Sequence, residues 1–169
     1  MADIHIGGLD CVGSAGCGPG WTFLTRWKPA DGDGTITHLT VQGQRSSSGG
    51  YFVVAFFFNV GGDNYECRAA KSCTPFSIGW NNYVVSMPCE AGDLIGYYAT
   101  VQKGCIQDTS GTEYGLRAST SGNKCHIGEV NPFYDVSGKI RDQIYGYGPA
   151  LVKGVGKNPY NDLLGSGVL

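Results

Sequence analysis

Charge is scarce in this chain: only 15% of its 169 residues are Asp, Glu, Lys or Arg, and 12 basic against 14 acidic side chains leave a formal net charge of -2. So even a balance creates no long-range field to gather nucleic acid or an anionic membrane, and neither is an expected partner. Long apolar runs are missing as well. The most hydrophobic stretch, "YFVVAFFFNV" at 51–60, is about half the roughly 20 residues that a membrane-spanning helix needs. No segment carries the 3.6-residue apolar period of an amphipathic helix. The start, "MADIHIGG", lacks the basic region, apolar core and small-residue cleavage site of an export signal, so synthesis in the cytoplasm is the expectation.

The familiar catalytic and metal signatures are absent too. Zinc sites use close cysteine pairs such as C-x2-C, whereas Cys11 and Cys17, like Cys67 and Cys73, have five residues between them. Cys125 and His126 are adjacent and would point to opposite faces of a strand. No G-x-S-x-G elbow presents a serine, and His5, His38 and His126 are scattered. Glu90, Asp93, Asp108 and Glu113 show no glycosidase-like pairing in the sequence. The expectation is a protein without catalytic residues, metal or cofactor. "DGDG" gives Asp31 and Asp33 the i, i+2 spacing of a calcium loop, but Gln42 stands where the bidentate Glu belongs, and a plain turn is the simpler reading.

What is abundant is glycine, 28 residues, and tyrosine, 10 residues, a composition that favours short strands and tight turns. "WTFLTRWK" at 21–28 alternates as a half-buried strand, with Trp21, Phe23 and Trp27 on one face and Thr22, Arg26 and Lys28 on the other. After the turn "PADGDG", "TITHLTVQGQ" places Leu39 and Val41 on one face. Residues 51–60 read as a strand buried on both faces. Further strands are expected at 64–68, 76–80, 83–87, 94–101, in "YGLRAS" and at 143–147. The reading is an all-β chain, an antiparallel sandwich of jelly-roll type with extended arms: an N-terminal arm with a cysteine loop at 1–20, the sandwich at 21–147 and a C-terminal arm at 148–169.

Three blocks, "WTFLTRWKPADGDGTITHLTVQG", "MPCEAGDLIGYYATVQKGCIQDTSGTEYGLRAS" and "RDQIYGYG", resemble a jelly-roll-type β-sandwich module that recurs in bacteriophage virion proteins and prokaryotic surface proteins. Pro29, Gly34, Thr35 and Ile36 match its opening turn, 91–97 its "aGDyIGiyf" strand, and Asp108, Ser110, Gly111 and Gly115 its hairpin. The resemblance covers about residues 20 to 147 and implies a fold more than an activity.

Seven cysteines, mostly in glycine- and serine-rich surroundings, suggest disulfides in an oxidising medium, and their odd number leaves one for another chain. Local closure favours Cys67 with Cys73; Cys105 with Cys125 is a second pairing, and Cys89 a further candidate. Cys11 or Cys17, in the flexible "LDCVGSAGCGPG", is the expected bond between chains. A cytoplasmic product whose cysteines oxidise later fits a homo-oligomeric virion accessory protein of capsid, neck or tail, released by lysis and contacting copies of itself and other virion proteins. The alternative is a glycan-binding module, a receptor-binding tip or a lectin at the cell surface. Tyr97, Tyr98, Tyr114, Tyr145 and Tyr147 are the aromatics for a sugar platform or a subunit interface.

Overall fold

A computed structural model describes residues 2–9, 15–16, 19–43, 50–75, 77, 79–100, 106–107, 114–139 and 144–151. Among these residues the regular structure is entirely β. The strands are β1 (Asp3–Gly8), β2 (Ala15–Gly16), β3 (Thr22–Thr25), β4 (Gly34–Gly43), β5 (Phe52–Gly61), β6 (Asn64–Ser72), β7 (Gly79–Cys89), β8 (Leu94–Ala99), β9 (Ile106–Gln107), β10 (Tyr114–Ala118), β11 (Val130–Lys139) and β12 (Ile144–Pro149). All pairings are antiparallel.

The expected sandwich takes a different form. Six strands close into a barrel in the order β10-β11-β6-β5-β8-β3, and a four-stranded sheet, β1-β12-β4-β7, packs beside it. Closure depends on β3, which pairs with β8 on one side and β10 on the other. This also overturns the half-buried reading of residues 21–28: all four residues of β3 are buried. Thr22 escapes a polar penalty because its hydroxyl donates to the Gly122 carbonyl (3.0 Å) and accepts the Lys124 N–H (2.9 Å). A closed barrel leaves no strand edge for another chain to extend.

Two apolar cores result. One fills the space between the sheet and the barrel, with Ile4, Ile6, Ile36, Leu39, Val41, Met87 and Ile144 facing Phe52, Val54, Phe56, Ile95 and Tyr97. The other fills the barrel, with Leu24, Val53, Ala55, Phe57, Leu116 and Phe133. From Phe52 to Phe57 the strand β5 serves both, even residues one way and odd residues the other, as the apolar run implied, whereas Tyr51, Asn59 and Val60 at its ends are exposed and not buried as expected. Each large side chain so buried contributes about 1.5–3 kcal/mol.

The arms are shorter than expected. Ile4 and Ile6 are core residues of β1, so residues 3–8 belong to the sheet, and β12 runs on to Pro149 with Ala150 bridging Gly34. Residues 79–80 of the segment expected at 76–80 and the segment expected at 83–87 belong to one strand, β7, while residues 76 and 78 lie outside the described residues. Residues 152–169 lie outside the described residues.

Candidate functional site: an aromatic face and the cleft beside it

The outer face of the four-stranded sheet is built by a short sequence device. In β12, "IYGYGP", Gly146 and Gly148 point inward while Tyr145 and Tyr147 stand on the outer face. Glycine is required inside: a Cβ on Gly148 would strike the Thr35 carbonyl, and one on Gly146 would press on Ile36, Leu39 and Ile6. On β1 the alternation of Ile4 and Ile6 into the core turns His5 outward, opposite Tyr147.

His38 reaches the same face through an irregularity. The β4–β7 register shifts between Ile36 and His38, so Ile36 and Leu39, three residues apart, both enter the core, and His38 emerges opposite Tyr147. Four rings therefore form a row across three strands. Centroid separations are 5.8 Å for His5–Tyr145, 5.9 Å for Tyr145–Tyr147 and 4.8 Å for Tyr147–His38, with interplanar angles of 13°, 28° and 7°. Carbon atoms in contact sit roughly 3.5–4.0 Å apart, so nearly parallel rings at these separations are slid past one another and leave part of each face uncovered. Beyond His38 the face continues as Val84, 80% exposed, and Trp80, 50% exposed, on β7. A shallow groove of about 160 Å³ lies between His38, Thr40, Asn82, Val84 and Tyr147.

At the other end the row meets a larger cleft of about 480 Å³, walled by His5, Tyr145, Asp31, Lys28, Pro29 and Leu9. Its shape is held by backbone bonds between the edge of β1 and the β3–β4 connection. Gly7 N–H donates to the Lys28 carbonyl (2.8 Å), Asp31 N–H to the His5 carbonyl (3.1 Å), and His5 N–H to Asp31 Oδ1 (2.7 Å). Lys28 adopts a positive φ of 52°, a conformation that a non-glycine residue holds only where its surroundings impose it. Gly7 has a φ of 72°, and a Cβ there would collide with the Ile144 carbonyl. Inside the cleft, His5 Nδ1 and the Tyr145 hydroxyl are paired at 2.6 Å. Burial first, then Tyr147, Asp31 and Asp3, push the Tyr145 phenol above its ordinary value, so it is a neutral hydroxyl at physiological pH.

Of the four singled-out tyrosines whose side chains are described, Tyr145 and Tyr147 meet on this face. Tyr97 is 1% exposed and belongs to the core, stacked between Phe23 and Phe52, so it cannot serve a surface platform. Tyr98 packs against the barrel core and edge-on to Tyr51, and the Tyr114 side chain lies outside the description. His5 and His38 carried no signal as partners of these tyrosines, because their neighbours are set by strand pairing. Asp31 and Asp33 act as turn staples: Asp31 accepts the His5 N–H and Asp33 the Ala91 N–H (2.9 Å). Among the described residues no group of three His, Cys, Asp or Glu side chains is placed to hold a metal ion.

The cysteines correct an expectation. Cys67, Cys73, Cys89 and Cys125 are buried free thiols, not disulfides. Cys67 lies on β6 and faces the barrel core, whereas Cys73, just beyond the same strand, enters the core under the sheet. Six steps of extended chain separate them by about 20 Å, far beyond the roughly 4.4–6.8 Å that a disulfide allows between Cα atoms. Cys11, Cys17 and Cys105 lie outside the described residues, as do Asp108 and Glu113. Burial pushes Cys67 and Cys89 up to about 12 and Cys73 up to about 11, and raises Cys125 well above its ordinary value. At pH 8 a thiol titrating near 12 is about 10⁻⁴ thiolate, against about a quarter for an ordinary one near 8.5. Native protein is therefore expected to leave these four positions unmodified by iodoacetamide while denatured protein reacts fully. Peptide mapping checks this, and rapid native labelling of any of the four would contradict the burial.

Comparisons with protein-family models, curated proteins and solved structures find no match for this chain.

Proposed function

We propose that the protein is a structural accessory of a bacteriophage virion, one that decorates or reinforces capsid, neck or tail, and that it docks through the outer face of the four-stranded sheet. The virion assignment draws on the sequence resemblance. The docking assignment draws on one observation: Tyr147, Val84 and Trp80 are exposed together on one sheet face that carries a row of rings. Aromatic residues with one wet end suit a subunit contact.

Two measurements test this. In lysates of the producing cells separated on a density gradient, the chain is expected in the particle band at a fixed copy number; recovery solely among free proteins would overturn the virion reading. Val84→Glu changes a side chain that is 80% exposed, so folding should survive, and particle occupancy is expected to fall at least about tenfold as a buried, unpaired charge enters the contact. Undiminished occupancy would remove this face as the docking surface. The second reading, a glycan-binding module, is favoured by the uncovered ring faces and the cleft at the end of their row.

A further inference from the structure

We infer that the cleft between β1 and the β3–β4 connection is a saccharide site that takes a neutral pyranose, with Tyr145 and His5 as its apolar floor and Asp31 as the acceptor for sugar hydroxyls. The inference rests on the glycan-binding reading and names its site.

The argument starts from what a pyranose offers: a weakly apolar C–H face and a rim of hydroxyls, each both donor and acceptor. Its C–H face needs a flat π surface that is not already covered. The slid geometry of His5 and Tyr145, 5.8 Å between centroids and 13° from parallel, leaves such a surface at the cleft. Its hydroxyl rim needs polar atoms beside that floor, and Asp31, Lys28 and the His5–Tyr145 pair stand there. An anionic ligand would call for an excess of cations, but among the described residues the cleft wall carries one carboxylate, Asp31, against one ammonium, Lys28, and Lys28 Nζ lies 4.8 Å from the centre of the Trp27 ring. The charge balance therefore suits a neutral sugar.

Size and stiffness agree. A volume of about 480 Å³ falls within the roughly 300–1,000 Å³ typical of small-molecule sites. The two backbone bonds to residues 28 and 31 and the His5 N–H bond to the Asp31 carboxylate, with the positive φ of Lys28, hold the walls in place before any ligand arrives. Weakly binding ligands such as sugars gain most from that preorganisation.

The test begins with the full-length wild-type protein on an array of neutral and anionic glycans, followed by calorimetry with the best-bound free sugar. Asp31→Asn keeps an oxygen that can accept the His5 N–H, so the cleft should hold its shape, and Tyr145→Ala removes the floor. Both are expected to weaken the sugar's Kd at least about tenfold, while Ile127→Glu, at a side chain 70% exposed in the β10–β11 connection of the barrel, leaves it unchanged. Thermal melts accompany each variant; should Tyr145→Ala unfold, Asp31→Asn decides alone. A glycan bound equally well by Asp31→Asn and wild type would overturn this cleft while sparing the glycan reading. Binding confined to anionic glycans would overturn the neutral assignment. No binding to the array at millimolar glycan would remove the site and the glycan reading together, leaving the virion proposal standing.

Discussion

Arg68→Ala is expected to lower the unfolding free energy by about 3–5 kcal/mol at neutral pH, the usual cost of stranding one member of a buried ion pair. Asp93 is 1% exposed, and its Oδ2 accepts Arg68 Nε at 2.7 Å and the Glu90 N–H at 2.9 Å. Arg68 also bonds Glu90 at 2.8 Å and lies over the Phe58 ring, 4.4 Å from its centre. Even with this company, burial dominates and the Asp93 carboxyl titrates above its ordinary value. A folded-state value above the unfolded one means that stability from this group is complete below about pH 3.9 and is lost as pH rises through the folded value. Removing Arg68 raises that folded value further. The penalty of Arg68→Ala should therefore grow between about pH 4 and neutrality, because protonated Asp93 needs no cation. Urea titrations of wild type and variant across that range measure it, and a penalty that does not change with pH would refute the assignment to Asp93.

Replacing both Cys11 and Cys17 by serine is expected to abolish the reductant-sensitive dimer of protein oxidised with glutathione disulfide. Four of the seven cysteines are withdrawn as buried thiols. The remaining three, Cys11, Cys17 and Cys105, lie outside the described residues, and the glycine-rich sequence around Cys11 and Cys17 makes one of these two the expected bond between chains. Each bond forms as two thiols reduce one glutathione disulfide to two glutathione molecules. Non-reducing electrophoresis with peptide mapping reads the result; a dimer that survives the double replacement, or a map linking Cys11 to Cys17, would refute it.

Much of the local structure was legible from alternation. The inward Leu39 and Val41 of β4 and the paired tyrosines of β12 follow from which residues repeat every second position, and the doubly buried part of β5 from its unbroken apolar run. Two long strands escaped notice, as did the two-residue β2 and β9. In β1 the core residues Ile4 and Ile6 sit among glycines in what read as an arm, and in β11 Pro132 and Gly138 break the pattern that marks a strand. The candidate site was half visible: Tyr145 and Tyr147 stood out, but His5 bonds Tyr145 across 140 residues of chain.

The sequence by itself determined that this is a β protein and which side chains most of its strands turn inward, because alternation is a property of neighbours along the chain. Tertiary structure alone decided that six strands close into a barrel, that the β4–β7 register shift turns His38 outward, and that four cysteines stay thiols. Those outcomes depend on which strand lies beside which, and antiparallel backbones offer the same hydrogen bonds to any partner, so the choice passes to packing across the two cores.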